Sequence, residues 1–262
     1  MEEMEMLIPA FELRGTMARG TLAKSLASSV NRNHFPNVTV VRNSEVPLFR
    51  LQRKGIEEVP VDFSFEGRVD RNMMELRLLS GMGDFMEESP PRWIVVADPA
   101  GMALRGIGHL FPPACGMRET DFLWCEASAV HDGNHRDDRL AAPAGWTGNH
   151  AASRGLWAVR AEHWGTVLAT CRALMEGMPR RISASALWTR VVHELPLRKR
   201  CFERGEVLAP QPDAVNWEQV LRAAYVTVPD WPPEAQRRFL QALYFSTYYG
   251  DAGGAFMNIL ES

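Results

Sequence analysis

The stretch Arg92-Trp93-Ile94-Val95-Val96-Ala97-Asp98-Pro99-Ala100-Gly101-Met102-Ala103-Leu104-Arg105 decides how this chain is read. An apolar run rich in β-branched side chains stops at a single acid, Asp98. A Pro-Ala-Gly turn follows, then a second apolar run, then Gly106-Ile107-Gly108-His109-Leu110-Phe111. A short unbroken Ile/Val run bounded by turn residues predicts a strand buried on both faces, as in a parallel sheet. Ligands of open α/β sheets bind outside the carboxyl ends of such strands. Asp98 stands at that position, which makes it a candidate functional residue.

Outward from this strand, the pattern alternates between strands and helices. Residues 7–13 read as a first strand, and residues 21–30 as a short helix with Leu22, Leu26 and Val30 on one face. Residues 37–43 read as a second buried strand closed by polar residues. This β-α-β opening fits a Rossmann-like half. Residues 48–61 read as a loop or short helix leading to a further strand. Met74, Leu78, Gly81 and Phe85 share a helical spacing over 71–86, and Pro90-Pro91 ends that helix. After Asp98, residues 121–130 read as a strand. Residues 131–153, polar and Gly-rich, read as a loop, and Gly155 to Arg160 as another strand. Helices are expected over 164–175 and 185–193, an edge strand over 197–210, a strand at 225–228, and a helix opening at Pro232-Pro233.

No Gly/Ser/Pro-rich linker divides the 262 residues, so one α/β domain is expected over 1–262, with 232–262 a C-terminal helical extension. A formal charge of −3 gives no support for nucleic-acid binding. The four cysteines, at 115, 125, 171 and 201, lack CxxC spacing and read as reduced thiols. The first residues are acidic where a signal peptide would be basic. No apolar run approaches the roughly 18 residues that a transmembrane helix needs. A cytoplasmic protein without a transmembrane segment is therefore expected, with an oligomer left open.

Residues 93–111 resemble the DxD region of nucleotide-sugar glycosyltransferases with the GT-A fold, in the manner of family 8. In those enzymes a strand ends in Asp-x-Asp and a pattern of the form vvLR-x-I-x-x-LF follows. The resemblance implies a mainly parallel, mixed Rossmann-like sheet flanked by helices, of the nucleotide-diphospho-sugar transferase type. It implies a nucleotide-sugar donor, UDP-linked by preference, an acceptor of unknown identity, and manganese or magnesium at the acids. Asp98 matches the first acid and is the metal-ligand candidate. Ala100 stands at the second, so no tightly held ion is expected.

Other polar positions of the family are replaced as well. A late strand there ends in a metal-ligating His, and Thr227 and Val228 occupy the corresponding place. The Asn-x-Gly that faces the donor sugar corresponds to Ser153-Arg154-Gly155, and an Asp-Gln before a helix corresponds to Ser183-Ala184. These residues, with Asp98 and Ala100, are the candidate nucleotide-sugar contacts.

Two readings stay open. In one, the protein transfers a hexosyl group, and Arg154, Arg160 or Arg105 supplies the positive charge that a metal would have given. In the other, the fold has lost catalysis and serves as a binding or assembly protein. His131, Asp132, His135, Asp137 and Asp138 form a further group with ligand-type side chains, read as a solvated loop. No GxSxG, GxGxxG or P-loop is present. Arg198-Lys199-Arg200 reads as a solvated strand entrance.

Overall fold

A computed structural model describes residues 4–10, 18–42, 55–60, 92–111, 120–127, 151–177, 184–203, 205–212, 214–229 and 231–249. Seven strands make the main sheet: β1 (Met4–Ala10), β2 (Asn37–Arg42), β3 (Ile56–Pro60), β4 (Trp93–Ala97), β6 (Phe122–Glu126), β7 (Ala152–Arg160) and β8 (Lys199–Cys201), in the order β3-β2-β1-β4-β7-β6-β8. β1 to β4 run parallel, β7 runs antiparallel to its neighbours β4 and β6, and β8 pairs parallel with β6. The sheet is mixed α/β and mainly parallel, and β2, β1, β4 and β7 are successive neighbours at its centre. A second sheet of three short strands, β5 (Gly101–Ala103), β10 (Tyr225–Thr227) and β9 (Val207–Leu208), has the order β5-β10-β9.

Helix α1 (Ala18–Arg32) covers one face of the main sheet. Ala23, Leu26, Ala27 and Val30 recur at helical spacing and pack on Met6, Ile8, Val38, Val40, Val95 and Ala97. His34, with φ of 62°, turns the chain out of the helix in the left-handed region that commonly ends helices. Helices α2 (Trp164–Gly177) and α3 (Ala184–Glu194) cover the other face. There Trp157 stacks on Phe122 and Trp164 and lies 4.9 Å from Trp188 between ring centres. The alternation along β4 sends Ile94 and Val96 to this aromatic side and Trp93, Val95 and Ala97 to the α1 side. Burial on both faces is the condition expected of a central strand in such a sheet.

A third cluster joins the small sheet to helix α5 (Pro233–Tyr249) and the short α4 (Trp217–Arg222), whose first turn is capped by the Asn216 side chain. Phe239, Leu240 and Leu243 pack on Ala100, Met102, Val226 and Val228. The C-terminal helix thus lies over the turn that follows Asp98.

Two expectations change. Ala152 and Ser153 belong to β7 and not to the preceding loop, because their backbone pairs with Cys125 and Glu126. The 197–210 region does not form one edge strand: β8 borders the main sheet while β9 belongs to the small one. Arg198 to Arg200 forms the solvated entrance to β8 that was expected, with Arg198 and Lys199 exposed, yet its charges are engaged. Arg198 clamps Asp121 with two bonds of 2.7 and 2.8 Å, and the Lys199 ammonium donates to the carbonyls of Val192, His193 and Leu195 at the end of α3. The expected helix at 71–86 lies outside the described residues, as does most of the 131–153 loop.

Candidate functional site

Asp98 is the first residue beyond β4, at the carboxyl edge of the parallel half. Its amide donates to the Gly155 carbonyl at 3.0 Å, extending the pairing of β4 with β7 by one residue. The carboxylate turns back on its own chain. Oδ1 accepts from the Ala100 amide at 2.8 Å, an Asx turn that Pro99 favours by fixing its own φ. Oδ2 lies 3.5 Å from Nη1 of Arg154, and both side chains are largely shielded, at 4% and 13% exposed. Nη2 of Arg154 reaches further and donates to the Pro229 carbonyl at 2.9 Å. One guanidinium therefore joins the end of β4 to the segment that leaves β10.

The same segment is fastened from two other sides. The Val228 amide donates to the Ala100 carbonyl at 2.8 Å, and Thr227 Oγ1 lies 3.4 Å from that oxygen. Gln236, buried on α5, donates through Nε2 to the carbonyls of Val228 and Pro229, each at 2.9 Å.

The glycines here are small because β10 needs their space. A Cβ on Gly155 would stand 2.2 Å from Thr227 Oγ1, and one on Gly101 would stand 2.1 Å from the Tyr225 hydroxyl. The room beside Gly155, expected for a ligand, is held by Thr227. Tyr225 lies beneath the turn with its hydroxyl 3.5 Å from the Gly155 carbonyl. Burial, and then the Asp98 carboxylate, push that phenol well above the ordinary tyrosine value, so it stays protonated.

The residues singled out in the sequence thus divide. Asp98, Ala100, Ser153, Arg154 and Gly155 come together, with Thr227 of β10 and Val228 just beyond it laid across them. Ser153 is buried, and its hydroxyl accepts from the Gly155 amide at 3.1 Å. Ala184 opens α3, which packs on β7, where Thr189 Oγ1 accepts from the Ala152 amide at 3.0 Å. Ser183 and the His131 to Asp138 group lie outside the described residues.

Of the three candidate arginines only Arg154 is at the site. Arg160 sits at the opposite end of β7, donating to the Thr120 carbonyl at 2.8 Å with its guanidinium over the Trp93 ring. Arg105 is half exposed and pairs with Glu206, which His109 also meets.

A hard divalent cation needs several oxygen ligands. This turn offers one carboxylate, already engaged by an amide and a guanidinium, and the hydroxyl of Thr227. Among the described residues no group of three His, Cys, Asp or Glu side chains is placed to hold a metal ion. Among them, too, no helix is long and apolar enough to cross a membrane.

Sequence reasoning passed over Tyr225, Thr227 as a packing residue, and Gln236. The available signal was the pairing of small with large: two glycines in strands, and Tyr and Thr on one face of a short strand.

No protein-family model matches the chain, and no curated protein matches it in sequence. Solved structures do match in shape. The crystal structure of a glycosyltransferase involved in the glycosylation of the major capsid of PBCV-1 superposes with a TM-score of 0.56 at 12% identity, over 91% of this chain and 98% of that one. What this likeness establishes is the architecture: the chain shares its fold with that protein.

Proposed function

We propose that this protein binds a nucleotide-sugar at the carboxyl edge of β4 and β7 and transfers its hexosyl group to an acceptor. The observation that carries this reading is the Asp98–Arg154 pair, set at the ligand-binding edge of a glycosyltransferase fold. Departure of a nucleoside diphosphate builds negative charge on the leaving oxygens, and a fixed cation there stabilises that charge. Arg154 presents a planar fork suited to phosphate oxygens. Asp98 and the Pro229 carbonyl hold the fork in one orientation, so little side-chain entropy remains to be lost on binding. The donor set of the turn does not fit manganese or magnesium, and the reading uses neither. UDP is the preferred nucleotide by resemblance.

A second reading is favoured by one observation. Both oxygens of Asp98 already face groups of the protein, and Thr227 fills the room beside Gly155. On that reading the turn is a structural clasp, and the protein binds or assembles without transferring sugar. A thermal-shift screen against UDP-, GDP- and CDP-sugars, with and without manganese, followed by assay of donor turnover, tests both. Stabilisation and turnover independent of manganese support the transferase. Absence of any stabilisation leaves the assembly role.

A further inference from the structure

The side chain of residue 100 is placed by the backbone bonds on either side of it. The Ala100 amide donates to Asp98 Oδ1 at 2.8 Å, and its carbonyl accepts from the Val228 amide at 2.8 Å. With both groups bonded, the methyl lies in the apolar cluster that Phe239, Leu240 and Leu243 of α5 form with Met102, Val226 and Val228. Ala100 is buried there, at 2% exposed. The position matched to the second acid is thus part of the contact between the turn and the C-terminal helix.

An acid at this position would carry its carboxylate into that cluster. Ionised groups are strongly disfavoured in apolar surroundings, so it would stay protonated or pry the helix away. Neither outcome yields the close shell of oxygens that a hard divalent ion requires. The turn is fitted instead to a planar, monovalent cation. Asp98 Oδ2 lies 3.5 Å from Nη1 of Arg154, and the Pro229 carbonyl accepts from Nη2 at 2.9 Å. Two oxygens thus meet two nitrogens of one fork. A guanidinium is weakly hydrated and suits partners that are largely shielded from water. Magnesium gives up its water reluctantly and does not.

We infer that the cation of this turn is the Arg154 guanidinium itself, held in a niche selective for that group. Helix α5, by taking residue 100 into its apolar contact, commits the niche to a monovalent cation and against a divalent one. The inference does not rest on the transferase reading, since a purely structural clasp has the same selectivity.

The test uses the whole chain and needs no nucleotide. Arg154→Ala removes the tethered cation and leaves the oxygens that faced it. Its thermal midpoint is measured with millimolar guanidinium chloride, with manganese chloride, and with sodium chloride at matched ionic strength. Guanidinium is expected to return about half or more of the midpoint lost by truncation, through mass action on the vacated niche. Manganese should return no more than sodium does. The unaltered protein, its niche already filled, should gain nothing from guanidinium. Equal recovery in guanidinium and sodium, or a larger one in manganese, overturns the niche. Should Arg154→Ala not fold by circular dichroism, its refolding is repeated with each salt present. Recovery of the native spectrum with guanidinium alone upholds the inference, and recovery with manganese alone, or with none of the salts, overturns it.

The role of α5 is tested separately, by electron paramagnetic resonance of manganese with the unaltered chain, Asp98→Asn and Ala100→Asp. Ala100→Asp is expected to bind manganese no more tightly than the unaltered chain. A gain of about tenfold or more shows that residue 100 reaches the cation and overturns the commitment by α5. An Ala100→Asp variant that is unfolded alone and folds in manganese overturns it equally, whereas one that manganese leaves unfolded upholds it. A manganese site in the unaltered chain that Asp98→Asn abolishes overturns the assignment of the cation to Arg154.

Discussion

Arg154 satisfies the backbone carbonyl of Pro229 and faces the carboxylate of Asp98, and the two contacts respond differently to substitution. Arg154→Ala leaves a buried carboxylate without its facing cation and is expected to cost about 3 kcal/mol, read as a lower urea midpoint. Arg154→Lys restores a charge but not the planar fork. It should recover most of that stability while nucleoside diphosphate affinity in calorimetry falls at least tenfold. Equal affinity for the lysine variant would remove Arg154 from the donor site.

Gly155 poses a different question, of room and not of charge. Gly155→Ala would drive a methyl into Thr227 and should cost about 1–3 kcal/mol by thermal unfolding. Thr227→Ala in the same chain removes the two nearest atoms and should return part of that loss, a coupling that a double-mutant cycle reads directly. Additive effects would show that the two residues do not meet.

At the scale of elements, the strand Trp93–Ala97 was legible because its burial on both faces leaves an unbroken apolar run. Helix α1 was legible because one apolar face repeats at helical spacing. β10 was read as a strand at 225–228, but β5 and β9 span only three and two residues, too short to show any period, and the small sheet that the three form was invisible. The Asp98 turn and Arg154 could be placed from their position relative to strands. Arg42, buried at the end of β2, could not, since a polar residue closing a strand has nothing in its neighbours to mark it as buried.

Arg198 and Lys199 are exposed, as their charge predicts, but the sequence could not name the partner of Arg198, which lies far along the chain. Asp121 is that partner for Arg198. Hydrogen bonds from the Arg198 side chain lower its carboxyl from 3.8 to about 2. A depressed carboxyl stabilises the fold above its unfolded value, and that contribution is lost as pH falls through about 4 toward 2. The urea midpoint of the unaltered chain should therefore fall over this window. Asp121→Asn should start lower at neutral pH and show a flatter acid limb, and an identical acid slope in the two proteins would contradict the pairing.

For the whole molecule, the C-terminal helix matters because it grips the site from behind. Gln236 on α5 donates to the carbonyls of Val228 and Pro229; Pro229 also accepts from Arg154, and the Val228 amide holds Ala100 in the Asp98 turn. A single side chain thus connects the helix outside the main sheet to the residues at the carboxyl edge of β4. Around it, Phe239 packs between Trp217 and Trp231 and sits in the same apolar cluster as Ala100 and Val228. Gln236→Met keeps the volume and the helix propensity of this position but removes both donors, leaving two carbonyls short of partners. The expected cost is about 1–3 kcal/mol of global stability. The local effect should be the more telling: amide exchange at Ala100 and Val228 should accelerate beyond what that global loss explains, because the segment after β10 loses its anchor. Amides in β2 and β3, separated from β4 by β1, should follow the global change alone. If Gln236→Met slows or leaves unchanged the exchange at Ala100 while lowering stability, the helix supports the fold without positioning the turn. If exchange rises there and nucleotide binding weakens with it, the candidate site depends on a helix that lies outside the main sheet.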